Sequence, residues 1–324
     1  MQVNDISRIT VLGIGVMGPD ISLGFALASY QVTGVDIKEA AVEAAYQKLD
    51  ANLRQMVEGD LFSQKQAAEI RSRVNFTLSW EPSVAAADFI TEAVPEVMET
   101  KQEVFARCDA LCRPEVVVAS NTSSMSLTEI ASRMRHPQRA LSTHWTIPAH
   151  LSPMVEVIRG EKTADATEAL AFALLKKLGK EPVRCQNNPG FIHNYVQFAM
   201  VKAALNLVEA GLASPADVDT VIKNGFGLRL ASVGPVEFVD MCGLDTILNI
   251  QKYMCQKTKD PVYSPSRSIE ELVNKGELGV KNGKGFYEYK EKNVGGFWER
   301  TNTNIIKVLK AVKKTDYRQE SKND

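Results

Sequence analysis

Histidine, cysteine and net charge are all scarce in this sequence, and each shortage excludes something. Four histidines occur in 324 residues, which leaves few candidates for proton transfer near neutral pH. The five cysteines, at 108, 112, 185, 242 and 255, are scattered and odd in number. Cys108 and Cys112 share a helix face but have no second pair to complete a metal site, so reduced thiols and no metal are expected. A formal net charge of −1 gives no general attraction to nucleic acid or to an anionic membrane, and neither is expected as a partner. No apolar run reaches the roughly 18 residues that a membrane helix needs. The opening Met-Gln-Val-Asn-Asp lacks the basic start and apolar stretch of a secretory signal, so a cytoplasmic location is expected.

The remaining composition is that of an ordinary folded protein, 44% hydrophobic and 24% charged. The length is more than one core comfortably fills, which predicts two domains. Strands are expected at 8–12, 31–36, 74–78, 89–94, 116–120, 140–144, 154–158 and 182–185. Helices are expected between them at 21–29, 38–58, 63–72, 98–112, 126–134 and 163–178. The βαβ opening implies a parallel sheet. After Asn187-Asn-Pro-Gly190 strands cease, and helices are expected at 190–211, 215–224, 233–257 and 266–276. Ser214 reads as a helix cap with Pro215 in the first turn. From Lys290 the tail offers one basic amphipathic stretch, Ile305 to Lys314, and then a polar end expected to fray. The fold class is therefore α/β, a Rossmann-like doubly wound sheet over 1–187 followed by an all-α domain over 188–324.

Gly13-Ile-Gly-Val-Met-Gly18 joins the first strand to the first helix. In a Gly-x-Gly-x-x-Gly turn the first glycine allows the tight bend and the second lets the backbone approach a pyrophosphate. The third allows close packing, and the phosphates rest at the helix N-terminus. Asp36 ends the second strand, placed to accept hydrogen bonds from ribose hydroxyls and to repel a 2′-phosphate. Ile37 is not an arginine, so NAD is expected as the cofactor rather than NADP.

Among the histidines, His144 stands out. It closes a strand, and a proline-rich connection could return Glu156 to its side. An imidazole takes a hydroxyl proton near neutral pH, and a carboxylate fixes its tautomer and steadies the imidazolium. His136 reads as a surface loop residue. His150 and His193 could face the cleft but have no carboxylate at useful spacing.

The chain also carries Glu-Ala-Val-Pro-Glu at 92–96, Ala-Ser-Asn-Thr-Ser-Ser at 119–124 and Val-Glu-Val at 155–157. Pro-Gly-Phe-Ile-x-Asn follows at 189–194, and Gly-Lys-Gly-Phe-Tyr-Glu-Tyr at 283–289. With Gly-x-Gly-x-Met-Gly and His144…Pro148…Pro153 in this order, the chain resembles the 3-hydroxyacyl-CoA dehydrogenase family up to about Tyr289. The resemblance implies a catalytic set of Ser123, His144, Glu156 and Asn194. It implies a dinucleotide site formed by Gly13, Gly15, Val16, Met17 and Gly18 with Asp36, Glu96, Lys101 and Asn121. It further implies an active site in an interdomain cleft and a homodimer through the helical domain.

The family divides by substrate. Some members act on CoA thioesters, while carnitine, L-gulonate and pyridine-carboxylate dehydrogenases act on free hydroxy acids. Here Glu58 and Asp60 stand where the thioester enzymes place lysines for CoA phosphates, and like charges oppose a polyanion. The stretch Gly225-Phe-Gly-Leu-Arg-Leu-Ala-Ser-Val-Gly-Pro235 is similar to the longer loop of the free-acid branch. Its Arg229 suits a carboxylate. Ile147 replaces the family's usual asparagine. The sequence thus points to an NAD-dependent dehydrogenase of a small hydroxy-carboxylate, with an L-3-hydroxyacyl-CoA dehydrogenase as the alternative. A scaffold without catalysis conflicts with the intact catalytic set. A 6-phosphogluconate-type enzyme conflicts with the lack of a helical lysine before Lys202.

Overall fold

A computed structural model describes the backbone of residues 1–289 and 291–320, and the side chains of 1–289 and 295–311. Lys290, where the tail was expected to begin, and residues 321–324 of its polar end lie outside the described residues. The chain forms two compact units, Met1–Val201 and Lys202–Asp324.

The first unit is built on one eight-stranded sheet. Its strands are β1 (Arg8–Leu12), β2 (Gln31–Val35), β3 (Val74–Thr77), β4 (Phe89–Glu92), β5 (Val117–Ser120), β6 (Ala140–Trp145), β7 (Met154–Arg159) and β8 (Glu181–Cys185). All eight expected strands are present. Their spatial order is β3-β2-β1-β4-β5-β6-β7-β8. Every neighbouring pair is parallel except β6 and β7. The strands in the middle of the sheet are covered on both faces, and β4, β5 and β6 are buried at every position, whereas the edge strand β8 has no buried position. The chain leaves β1 toward β2 on one side and returns as β4 on the other. That reversal opens a crevice beyond the carboxyl ends of β1 and β4.

The helices Gly18–Leu27, Glu39–Glu58, Gln64–Arg71, Met98–Leu111 and Asp165–Lys177 match expectation within a few residues. Trp80–Ala86 was not foreseen, since Pro82 and the shortness of the segment hide its period. The helix expected at 126–134 is only Leu127–Ile130, continued by a 3-10 turn.

In the second unit the helix expected at 233–257 is two, Pro235–Cys242 and Leu244–Thr258. Gly243 separates them at φ 91°, and a side chain there would run into Lys281. Ser214 caps Pro215–Asn224 by accepting from the Asp217 amide at 3.1 Å. Phe226–Leu230 is an added short helix. The tail helix runs from Glu291 to Glu320, well beyond the stretch expected from Ile305 to Lys314. The Gly-Lys-Gly-Phe-Tyr-Glu-Tyr segment encloses Asp240, which is fully buried and accepts from the Phe286 and Tyr287 amides, each at 3.0 Å. Among the described residues, the second unit's buried apolar clusters are small. One is Val233, Val280 and Phe297, and the other is Leu244, Leu248 and Ile269.

Candidate active site

The glycine turn follows β1 in the crevice. Gly13 adopts φ 88°, and a Cβ on it would lie 2.7 Å from the Ala93 carbonyl carbon. An added Cβ on Gly18 would meet the Gly13 backbone, whereas one on Gly15 would enter open space. The first and third glycines are thus set by packing, and the second faces a ligand-sized void. Asp36 accepts from the Ile14 amide at 3.1 Å and from the Ile37 amide at 2.8 Å, which ties the end of β2 to the turn. Gly13, Gly15, Val16, Met17, Asp36, Glu96 and Asn121 all line one groove of about 780 Å³. An open second glycine, a helix N-terminus at Gly18 and a carboxylate at the end of β2 fit a dinucleotide.

Gly18 is absent from that lining because it packs against the Gly13 backbone, and Lys101 is absent for another reason. Lys101 is 1% exposed. Its ammonium binds Glu92 at 2.8 Å and Glu96 at 3.2 Å, because a buried cation must be paired. It reaches the groove through the Val94 carbonyl, which accepts from it at 3.3 Å, and through Glu96. That carboxylate accepts from the Thr122 hydroxyl at 2.5 Å and the Ser123 amide at 2.9 Å. Burial opposes its charge, but Thr122 and Lys101 hold its carboxyl below the ordinary range. Glu96 therefore fixes the Asn-Thr-Ser-Ser turn that carries Ser123.

The antiparallel pairing of β6 and β7 sets His144 directly opposite Glu156. Both are nearly fully buried, at 4% and 1% exposure. His144 Nδ1 lies 2.7 Å from Glu156 Oε2. An ionised carboxylate only accepts, so Nδ1 carries the proton and Nε2 keeps a lone pair. The other oxygen, Oε1, accepts from the Ile192 and His193 amides, each at 2.9 Å. Burial pushes the Glu156 carboxyl up, yet the His144 imidazole and the two amides hold it below the usual carboxylate range. The amides are delivered by the Pro-Gly-Phe turn, where Phe191 takes φ 51° and its ring packs 5.6 Å from the His144 ring.

Asn194 donates from Nδ2 to the Ser123 carbonyl at 3.0 Å, and Asn121 Oδ1 accepts from the Trp145 amide at 2.9 Å. Ser123, His144 and Asn194 line a second cavity of about 540 Å³, together with Thr146, Ile147, Ser152, His193 and Gln197. Met17, Asn121 and Ser123 line both cavities. The four residues of the expected catalytic set all lie within Met1–Val201. The division falls inside the helix His193–Glu209, since Glu156 and Ser123 tie that helix's first turn to the sheet.

The family model for the 3-hydroxyacyl-CoA dehydrogenase NAD-binding domain matches residues 8–188, and the model for the C-terminal domain of the same enzymes matches 190–289. The chain belongs to the 3-hydroxyacyl-CoA dehydrogenase family. It is an NAD-dependent dehydrogenase acting on a CH–OH group. A probable 3-hydroxybutyryl-CoA dehydrogenase of Bacillus subtilis is 35% identical over 89% of this chain and 99% of its own length. The 5-formyl-3-hydroxy-2-methylpyridine 4-carboxylate 5-dehydrogenase of Mesorhizobium japonicum is 33% identical over 88% of this chain and 91% of its own. A 3-hydroxyacyl-CoA dehydrogenase from Archaeoglobus fulgidus superposes with a TM-score of 0.77 at 32% identity, covering 92% of this chain and 97% of that one.

Three residues gain contacts that sequence alone did not give them. His150, read as having no carboxylate, has Nδ1 3.8 Å from Asp20. His193 lines the His144 cavity, and its place beside Asn194 was the available signal. Lys180 is buried and donates to the Ala149 and Ser152 carbonyls at 2.8 and 2.6 Å, which pins the connection after His144. Arg229 lies in the second unit with its guanidinium stacked 3.6 Å over the Phe238 ring; its buried Nε has no hydrogen-bond partner among the described residues.

Proposed function

We propose that the chain oxidises the hydroxyl of a small hydroxy-carboxylate to the oxo compound. His144 Nε2 takes the hydroxyl proton, and Glu156 steadies the imidazolium that forms. The Ser123 hydroxyl, which has no hydrogen-bond partner among the described residues, and the Asn194 amide hold the reacting oxygen in line with that base. The groove residues Gly13, Gly15, Val16, Met17, Asp36, Glu96 and Asn121 hold NAD, with Gly18 packed behind them at the start of the helix and Lys101 supporting them from below. Bound there, NAD supplies the hydride acceptor.

One observation carries the choice of a free acid. The helix Glu39–Glu58 ends in exposed Glu58, Gly59 and Asp60, where a thioester enzyme would need cations for CoA phosphates. A cavity of about 540 Å³ around His144 also suits a small ligand. The similarity to a probable 3-hydroxybutyryl-CoA dehydrogenase favours the second reading, an L-3-hydroxyacyl-CoA dehydrogenase. Turnover of a panel of small hydroxy acids and of 3-hydroxybutyryl-CoA, each at the same concentration with NAD, decides between them. A thioester preferred by orders of magnitude ends the free-acid reading. His144→Gln should abolish most turnover of the preferred substrate while NADH binding persists.

In this reading the NAD-binding and helical parts meet at 187/188, and two copies associate through the helical part. Leu212, Val221 and Ile250 stand exposed there, and its buried clusters are small, which supports a partner copy. The five free cysteines fit a reducing, cytoplasmic setting.

A further inference from the structure

The geometry points to His193 as the residue that reads the substrate's carboxylate. This rests on the hydroxy-carboxylate reading above and adds the group that makes the distinction.

A carboxylate brought into a partly buried cavity needs a cation or strong donors to replace water. Among the described residues lining the His144 cavity there is no lysine or arginine. Its two titratable side chains are His144 and His193. His144 is committed, with Nδ1 held by Glu156 and Nε2 left to take the hydroxyl proton. Thr146 and Ser152 pair their hydroxyls with each other at 2.7 Å. His193 differs from all of these. Its ring nitrogens have no hydrogen-bond partner among the described residues, so both remain available to a ligand.

Its position is also fixed. The His193 amide donates to Glu156 Oε1 at 2.9 Å, so the carboxylate that orients the base also anchors the main chain of His193. The two imidazole rings stand 6.1 Å apart at an interplanar angle of 67°. A molecule with its hydroxyl and carboxylate on the same or adjacent carbons bridges that gap with one hydrogen bond to each ring. The catalytic hydroxyl meets His144 and the acid group meets His193. A thioester offers a neutral carbonyl there and gains far less from an imidazole.

The test compares His193→Leu with His193→Gln, which keeps an N–H donor, and with Arg229→Leu, which removes the cation suggested by the loop pattern. The substrates are the hydroxy acid best used by the wild type, its methyl ester and 3-hydroxybutyryl-CoA. NADH affinity reports folding of the dinucleotide site. His193→Leu should raise KM for the acid roughly ten- to hundredfold, as expected for losing a hydrogen bond to a charged group. The ester KM should change little, and the loss should sit in KM more than in kcat. His193→Gln should recover part of the loss, and Arg229→Leu should cause much less. A free-acid enzyme whose acid KM moves less than twofold in His193→Leu, or moves in Arg229→Leu instead, overturns the assignment and leaves the functional reading intact. Preference of the wild type for 3-hydroxybutyryl-CoA overturns the functional reading itself, and this assignment with it.

Discussion

Replacing Glu156 by glutamine removes one atom's worth of function, and the structure says which. Glu156 uses both oxygens, Oε2 toward His144 Nδ1 at 2.7 Å and Oε1 toward the Ile192 and His193 amides at 2.9 Å. Glutamine has a single oxygen to share between these sides. Turned toward His144, it sets its NH₂ against two amide donors at a site 1% exposed. Each buried donor left unpaired costs on the order of 1–3 kcal/mol, so that arrangement loses roughly 2–6 kcal/mol. Turned toward the amides, it satisfies both and presents NH₂ to Nδ1. The imidazole then accepts at Nδ1 and carries its proton on Nε2, where the substrate hydroxyl must be deprotonated. The second arrangement wins, and the base is lost without loss of the fold. General-base catalysis contributes about 10²- to 10⁴-fold, so kcat should fall by that factor. NADH binding should hold and thermal stability should change little. NADH formation at saturating substrate measures the first, and a fluorescence titration the second. A Glu156→Gln enzyme that keeps more than about a tenth of wild-type kcat refutes the tautomer argument.

Two further outcomes follow from groups around the site. Gly13→Ala places a side chain at φ 88° and 2.7 Å from the Ala93 backbone, so it should cost at least about 2 kcal/mol and weaken NADH binding; an unchanged melting temperature and affinity would contradict the packing. Burial lowers the Lys180 ammonium to about 8, below the usual 10.5, so the folded state holds this proton less tightly than the unfolded chain. Lys180 therefore costs stability below about pH 8, and the cost fades as pH rises toward 10.5. Relative to Lys180→Met, the wild type should gain up to about 3 kcal/mol across that window, measured by denaturant unfolding at each pH. A constant difference would show that the ammonium is not desolvated.

The sheet was legible because buried parallel strands are continuous apolar runs between turn residues, and all eight lie close to where the pattern puts them. The helical unit was less so. A break at Gly243 leaves the apolar period of 233–257 intact in the sequence, since the left-handed φ of 91° that separates the two helices is a backbone feature. Lys101 shows the same limit at the site. Its motif position places it at the dinucleotide groove, but burial and two carboxylates hold it below. His193 could be placed toward the cleft from the sequence but given no role there, because it has no carboxylate at helical or strand spacing. The interaction that fixes it runs through its own backbone amide, which no side-chain pattern records.

Glu156 explains why the reaction could be read more readily than the substrate. It sits opposite His144 by strand register, and a slip of one residue would turn it to the other face of the sheet. The base and its orienting carboxylate are therefore written into two apolar strands whose alternation is fixed by burial. Through Oε1 the same carboxylate also sets the turn from Phe191 to His193, which is where the cavity wall begins. Two of the side chains in that wall, Ile147 and His193, lie outside both strands and can change without disturbing either. Ile147 is 72% exposed and carries no packing role that would constrain it. On the proposed reading, reaction chemistry is locked to the core, and substrate choice rests on side chains outside the two strands. A family sharing this sheet can keep one base and accept different acids or thioesters.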